Sequence, residues 1–107
     1  MRFDTTYDRG SDTLTLSVDH VPVDANLVTT PRGLRLTVND DATQLYRVEI
    51  SFFHERVDFL ELYYLIGPDG VHQLAVLQDE LSVRDVHVTA PDAPLRKGSK
   101  ARKLLSA

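Results

Sequence analysis

Tyr46-Arg47-Val48-Glu49-Ile50-Ser51-Phe52 places aromatic and branched side chains at every second position, with charged or hydroxyl side chains between them. Successive side chains of an extended backbone point to opposite faces, so this stretch sorts itself into an apolar side and a wet one. A helix would scatter the same residues around its circumference. Thr13-Leu14-Thr15-Leu16-Ser17-Val18 and Leu34-Arg35-Leu36-Thr37-Val38 repeat the pattern. The chain is therefore expected to be mainly β, built on half-buried strands.

Working outward, the breaks carry turn chemistry. Asp8-Arg9-Gly10-Ser11-Asp12 separates an opening strand near residues 2–7 from the second. Asp and Ser side chains there can bond nearby backbone. Pro22–Pro31 reads as a long connection holding an edge strand near Leu27–Thr29. Gly67-Pro68-Asp69-Gly70 is the clearest turn signal and predicts a hairpin between Leu62–Ile66 and Val71–Leu77. A last strand is expected from Ser82 to Val88. Residues 54–62 support two readings. Phe53, Val57, Leu60 and Tyr64 fit one helical face, but Phe59, Leu62, Tyr63 and Ile66 would then fill the other; a strand is favoured, with a turn or single helical turn near His54–Arg56. The expectation is about seven antiparallel strands in a meander, small sandwich or open barrel, with at most one short helix.

A chain of 107 residues with 42% apolar content has the length of one domain and enough greasy surface for a core. The expected division is a β domain over 1–90 and a basic, loosely ordered tail over 91–107, with a nascent helix around Lys100–Leu105. Charge divides at the same place. Residues 1–90 hold seven arginines against 15 acids, a net of −8, while residues 91–107 hold Arg96, Lys97, Lys100, Arg102 and Lys103 against Asp92, a net of +4. An acidic body repels a phosphate backbone, so contact with nucleic acid is expected through the tail alone. No apolar run approaches the roughly 18 residues that cross a bilayer, and no leader-like segment opens the chain, so no membrane partner and a cytoplasmic location are expected.

Residues 5–52 carry a motif in Tyr7, Asp8, Asp12, Leu14 and Leu16, then Gly33, Leu34 and Leu36, then Leu45, Val48, Glu49 and Ile50. It resembles domain-of-unknown-function family 2283, small bacterial proteins with a Tyr-Asp-x3-Asp-x-Leu opening followed by Gly-Leu-x-Leu and Val-Glu-Ile strands. The chain departs from that family at Asn39-Asp40-Asp41-Ala42-Thr43, where the family has an acidic turn containing glycine, and it continues well past the match. The resemblance implies a small β sheet and no particular activity.

Candidate chemistry is sparse. The chain has no cysteine, which excludes disulfides and thiolate catalysis. Its histidines, His20, His54, His72 and His87, have no metal-ligand spacing within one element. His72 and His87, on adjacent expected strands, could form a metal or acid–base site with a nearby carboxylate. This is the alternative to a non-catalytic reading. The serines lie outside any nucleophile elbow, and Asp40-Asp41 and Asp79-Glu80 fall in expected turns. No catalytic residue, metal or cofactor is assigned. Phe52, Phe53, Phe59, Tyr63 and Tyr64 cluster beside Glu55, Asp58 and Glu61, which suits packing or a dimer face better than base stacking. Apolar residues on both sides of 57–66 require cover from a second layer or a second copy. The leading expectation is a non-catalytic interaction module. It pairs with itself through Phe59, Tyr63 and Tyr64 and contacts a further protein. Arg96, Lys97, Lys100, Arg102 and Lys103 form an anion- or partner-contacting arm.

Overall fold

A computed structural model describes residues 1–79 and 87–106. Six strands form one antiparallel sheet: β1 (Arg2–Asp8), β2 (Thr13–Ser17), β3 (Asn26–Thr29), β4 (Arg35–Val38), β5 (Leu45–Ile50) and β6 (His87–Thr89). Their spatial order is β3-β4-β5-β2-β1-β6. The mainly antiparallel β reading therefore stands. Among the described residues the sheet is open, with β3 and β6 at its two ends, and it neither closes into a barrel nor faces a second sheet. The strand expected over Ser82–Val88 lies largely outside the described residues; its described end is β6.

Register explains the alternating sequence. Leu14 and Leu16 of β2 lie opposite Ile50 and Val48 of β5, and Val48 lies opposite Leu36 of β4. With Phe3 and Val88, which also pair, these residues form the buried inner face. Thr13, Thr15, Ser17, Arg47 and Glu49 take the other parity and form the outer face.

The largest departure from expectation is the second half. Residues expected as a hairpin form α1 (Leu60–Asp79), which breaks at Gly67. Leu62, Leu65, Ile66, Leu74 and Leu77 are buried from this element in the same core as the inner sheet face. Gly67 has φ 78° and ψ 175°, a conformation essentially confined to glycine, and Pro68 follows it. Proline at the first position of the second helical run gives up an N–H that has no intrahelical partner there. The punctuation that starts a β-turn thus breaks a helix here. Residues 54–62 are likewise not a strand. Phe53–Glu55 makes a single 3-10 turn, where the one-turn expectation was placed, and α1 begins at Leu60. A helical segment of 20 residues, broken at Gly67, stands where at most one short helix was expected.

The second layer also answers the need for cover. Leu62, Leu65 and Ile66 turn inward, whereas Leu60 and Tyr63 turn to solvent. The segment after Ala90 lies against the body. Leu95 and Ala101 belong to the core, and α2 (Lys100–Lys103) is capped by Ser99, whose Oγ accepts the Arg102 N–H at 3.1 Å. Met1 and the segment after β6 are tied together as well: the amino terminus donates to the Ala90 carbonyl at 2.9 Å and meets the Asp92 carboxylate at 2.7 Å. No helix among the described residues is long and apolar enough to cross a membrane.

Candidate functional site

The tightest gathering of reactive side chains is Tyr7, Asp12 and His54. Local chemistry delivers each one. In the β1–β2 turn, Asp8 Oδ1 accepts the Gly10 N–H at 3.0 Å and Asp8 Oδ2 accepts the Ser11 hydroxyl at 2.9 Å. That turn ends at Asp12, held with φ 50°, a left-handed conformation that Asp tolerates better than most residues. The Phe53 N–H donates to the Asp12 carbonyl at 2.9 Å, which docks the 3-10 turn after β5 onto the first hairpin. His54 is thereby set beside Tyr7.

The proton positions follow from the inventory of donors. Tyr7 has one hydroxyl proton, and its 2.6 Å bond to Asp12 Oδ1 uses it. His54 Nδ1 lies 2.8 Å from the same carboxylate oxygen and 2.9 Å from the Tyr7 oxygen. Both neighbours act as acceptors, so Nδ1 carries a proton. Asp12 Oδ2 also accepts the His54 backbone N–H at 3.2 Å. Hydrogen bonding from Tyr7, with further bonds and charge from His54, holds the Asp12 carboxyl below the usual carboxylate range. The bond to Asp12, aided by burial and the nearby negative charge, pushes the Tyr7 hydroxyl up. The rings stack edge-on, with 5.2 Å between the centroids of Tyr7 and His54 and 5.5 Å between those of Phe53 and His54.

Chemically, this arrangement fastens two turns together. A histidine that acts as a base needs a nitrogen within reach of substrate. Here Nδ1 is engaged by Asp12, and Nε2 is buried, with no hydrogen-bond partner among the described residues. No group of three or more potential metal ligands occurs among the described residues.

The remaining expected site residues are dispersed. His72 is exposed on α1, in the layer over the inner face, whereas His87 is exposed on β6 and pairs with Asp4 at 2.6 Å. Asp4 and His87 lie opposite each other with outward parity, so the sheet separates the two histidines. The pairing of His72 and His87 on which the alternative reading rested is not formed, because α1 is a helix where a strand was expected. Phe59 and Tyr64 pack partly against the core, and Tyr63 is 50% exposed, its ring edge-on to Tyr64 at 5.9 Å. In the basic segment, Lys100 Nζ lies over the Tyr64 ring, 5.4 Å from its centroid, and Arg102 Nη1 donates to the Asp41 carbonyl at 3.0 Å. Arg96, Lys97 and Lys103 are exposed.

Two groupings escaped the sequence reading. His54 sits 42 residues from Asp12, and neither spacing nor periodicity links them. Glu61 is 2% exposed and accepts the Thr30 hydroxyl at 2.6 Å and the Arg32 N–H at 3.2 Å, tying the β3–β4 turn to the start of α1. An acid within an apolar stretch, at Phe59-Leu60-Glu61-Leu62, was its only signal. Comparison with known proteins gives no match: no family model, no curated protein and no solved structure matches the chain.

Proposed function

We propose that this chain is a non-catalytic interaction module that binds a protein partner through the apolar corner where β5 leads into α1. One observation carries the reading: Phe52, Val57, Leu60 and Tyr63 are respectively 68%, 90%, 45% and 50% exposed within twelve consecutive residues. Large apolar side chains gathered on a surface mark contact sites, and aromatic residues are enriched in the centres of interfaces. Leu60 and Tyr63 are one helical turn apart, and so neighbours on one face of α1. Of the three aromatics expected at an interface, Tyr63 is the one that offers its ring to a partner; Phe59 and Tyr64 support it from the core side. The resemblance of residues 5–52 to domain-of-unknown-function family 2283 belongs to the same proposal. It is supported by the meeting of Tyr7 and Asp12, two residues of that motif, in the clasp.

The test compares proteins retained by the wild-type chain and by a Leu60→Glu, Tyr63→Ser variant in extracts of the native host. Both positions are half-exposed, so melting temperature is expected to stay within a few degrees. A specific partner held by the wild type and lost by the variant is the expected result. Identical retention by both proteins overturns the corner as the contact.

A further inference from the structure

The end of the sheet formed by β3 offers a second kind of surface, separate from the apolar corner. The Thr30 N–H donates to the Leu34 carbonyl at 2.8 Å, so residues 30 and 34 form a hydrogen-bonded pair. Antiparallel ladders alternate bonded and non-bonded pairs, so Val28 and Asn26 also bond towards β4. The N–H and C=O groups of Leu27 and Thr29 then point out of the sheet. Among the described residues, no other element reaches them. Edges are normally blunted by a charge, a proline or a bulge within the strand. Asn26-Leu27-Val28-Thr29 has none of these, and Leu27 is 54% exposed.

We propose that β3 pairs antiparallel with β3 of a second copy about a two-fold axis at Val28, running one sheet through both molecules. The outward groups are self-complementary. With the axis at Val28, Leu27 of each copy lies opposite Thr29 of the other, and each of the two pairs exchanges two backbone bonds. An isologous contact requires this reciprocity. The strand is uncharged, so two copies of an acidic body can meet there without opposed like charges. With four backbone bonds and little apolar area, the dimer is weak, and it forms at high protein concentration.

Val28 is the one residue that meets its own copy across the axis. The pair is non-hydrogen-bonded, with Cα atoms approaching to about 4.5 Å, within the span of a disulfide. The chain has no cysteine, so a Val28→Cys variant carries a lone thiol. On mild oxidation it is expected to form a covalent dimer. Leu27→Cys, whose copies lie diagonally across the axis beyond disulfide reach, is expected to form roughly tenfold less. In light scattering, the wild-type mass is expected to rise from monomer towards dimer with concentration. Thr29→Pro removes only an outward N–H and is expected to stay monomeric with an unchanged melting temperature. Equal cross-linking at both cysteines overturns the register, and a wild-type chain that is monomeric at every concentration overturns the dimer. Should Thr29→Pro not fold, the cysteine pair still decides. A dimer kept by Thr29→Pro and lost by Tyr63→Ser overturns edge pairing while supporting the apolar corner as a contact.

Discussion

Tyr7, Asp12 and His54 show how much a few atoms can fix. One carboxylate receives a phenol, an imidazole N–H and a backbone N–H, so the first hairpin and the turn after β5 are held by a single anion. The signs of the pH dependence follow. The Asp12 carboxyl is held lower in the folded chain than in the unfolded one. Its contribution is therefore complete above the unfolded value of about 3.9 and is lost as pH falls through the folded one. The Tyr7 hydroxyl is raised, so its contribution is complete below about 10 and is lost as pH rises through the folded value. Asp12→Asn is expected to flatten the acid limb of a melting-temperature profile, and Tyr7→Phe the alkaline limb. Tyr7→Phe is also expected to lower the neutral-pH melting temperature by roughly 5 °C through loss of a charge-assisted bond. Unchanged limbs in both variants would show that the clasp carries no stability. In the sequence, Asp8 was legible as a turn-former because its partners lie within three residues. Asp12 was legible only as a member of the same turn, because its second side-chain partner, His54, is 42 residues away in sequence.

At the scale of elements, strands were legible and the helix was not, for a physical reason. Leu14, Leu16, Val48 and Ile50 alternate with polar residues because one side of the sheet is buried and the other is bare. In α1 the outward positions include Leu60, Tyr63 and Val76 as well as polar residues, so the polar face that betrays a helix is blurred. The Gly67-Pro68 break then shifts the helical phase midway, and the first run, residues 60–66, is too short to display a period. Gly67 and Gly70 test this account in opposite ways. Ala at position 67 must adopt φ 78°, ψ 175°, and is expected to cost about 1–3 kcal/mol. Position 70 has ordinary helical backbone, where Ala would normally help by nearly 1 kcal/mol. Yet a Cβ there lies 2.8 Å from Ile66 Cγ1 and 2.9 Å from Ile66 Cβ, so Gly70→Ala is expected to destabilise by about 1–2 kcal/mol through overpacking. Pairing Gly70→Ala with Ile66→Ala removes the contacts to Cγ1 and Cδ1 but keeps the one to Cβ, so it should relieve part of the clash, and chemical denaturation of the two single variants and the double reads the coupling. Purely additive losses would place the strain elsewhere.

Across the whole molecule, charge and packing divide the chain differently. The composition shift after Ala90 was legible and marks a basic segment, but sign alone does not say whether a segment is anchored. Leu95 is fully buried in the common core, and Ser99 Oγ donates to the Pro94 carbonyl at 2.8 Å, which holds the turn into α2. An isolated leucine between Pro94 and Arg96 has no period from which its burial could be read; its place in the common core comes from tertiary packing alone. The anchor predicts that this segment contributes to folding of the body. Leu95→Ala removes a fully buried side chain, and is expected to cost about 3 kcal/mol, equivalent to a fall of roughly 10–20 °C in melting temperature for a chain of this size. Lys97→Ala, on an exposed neighbour in the same segment, is expected to change stability by less than about 0.5 kcal/mol. Thermal unfolding followed by circular dichroism separates the two cases. If Leu95→Ala melts with the wild type, the segment is not anchored through that side chain. If it melts early in one cooperative step, residues on both sides of the charge boundary unfold as one unit.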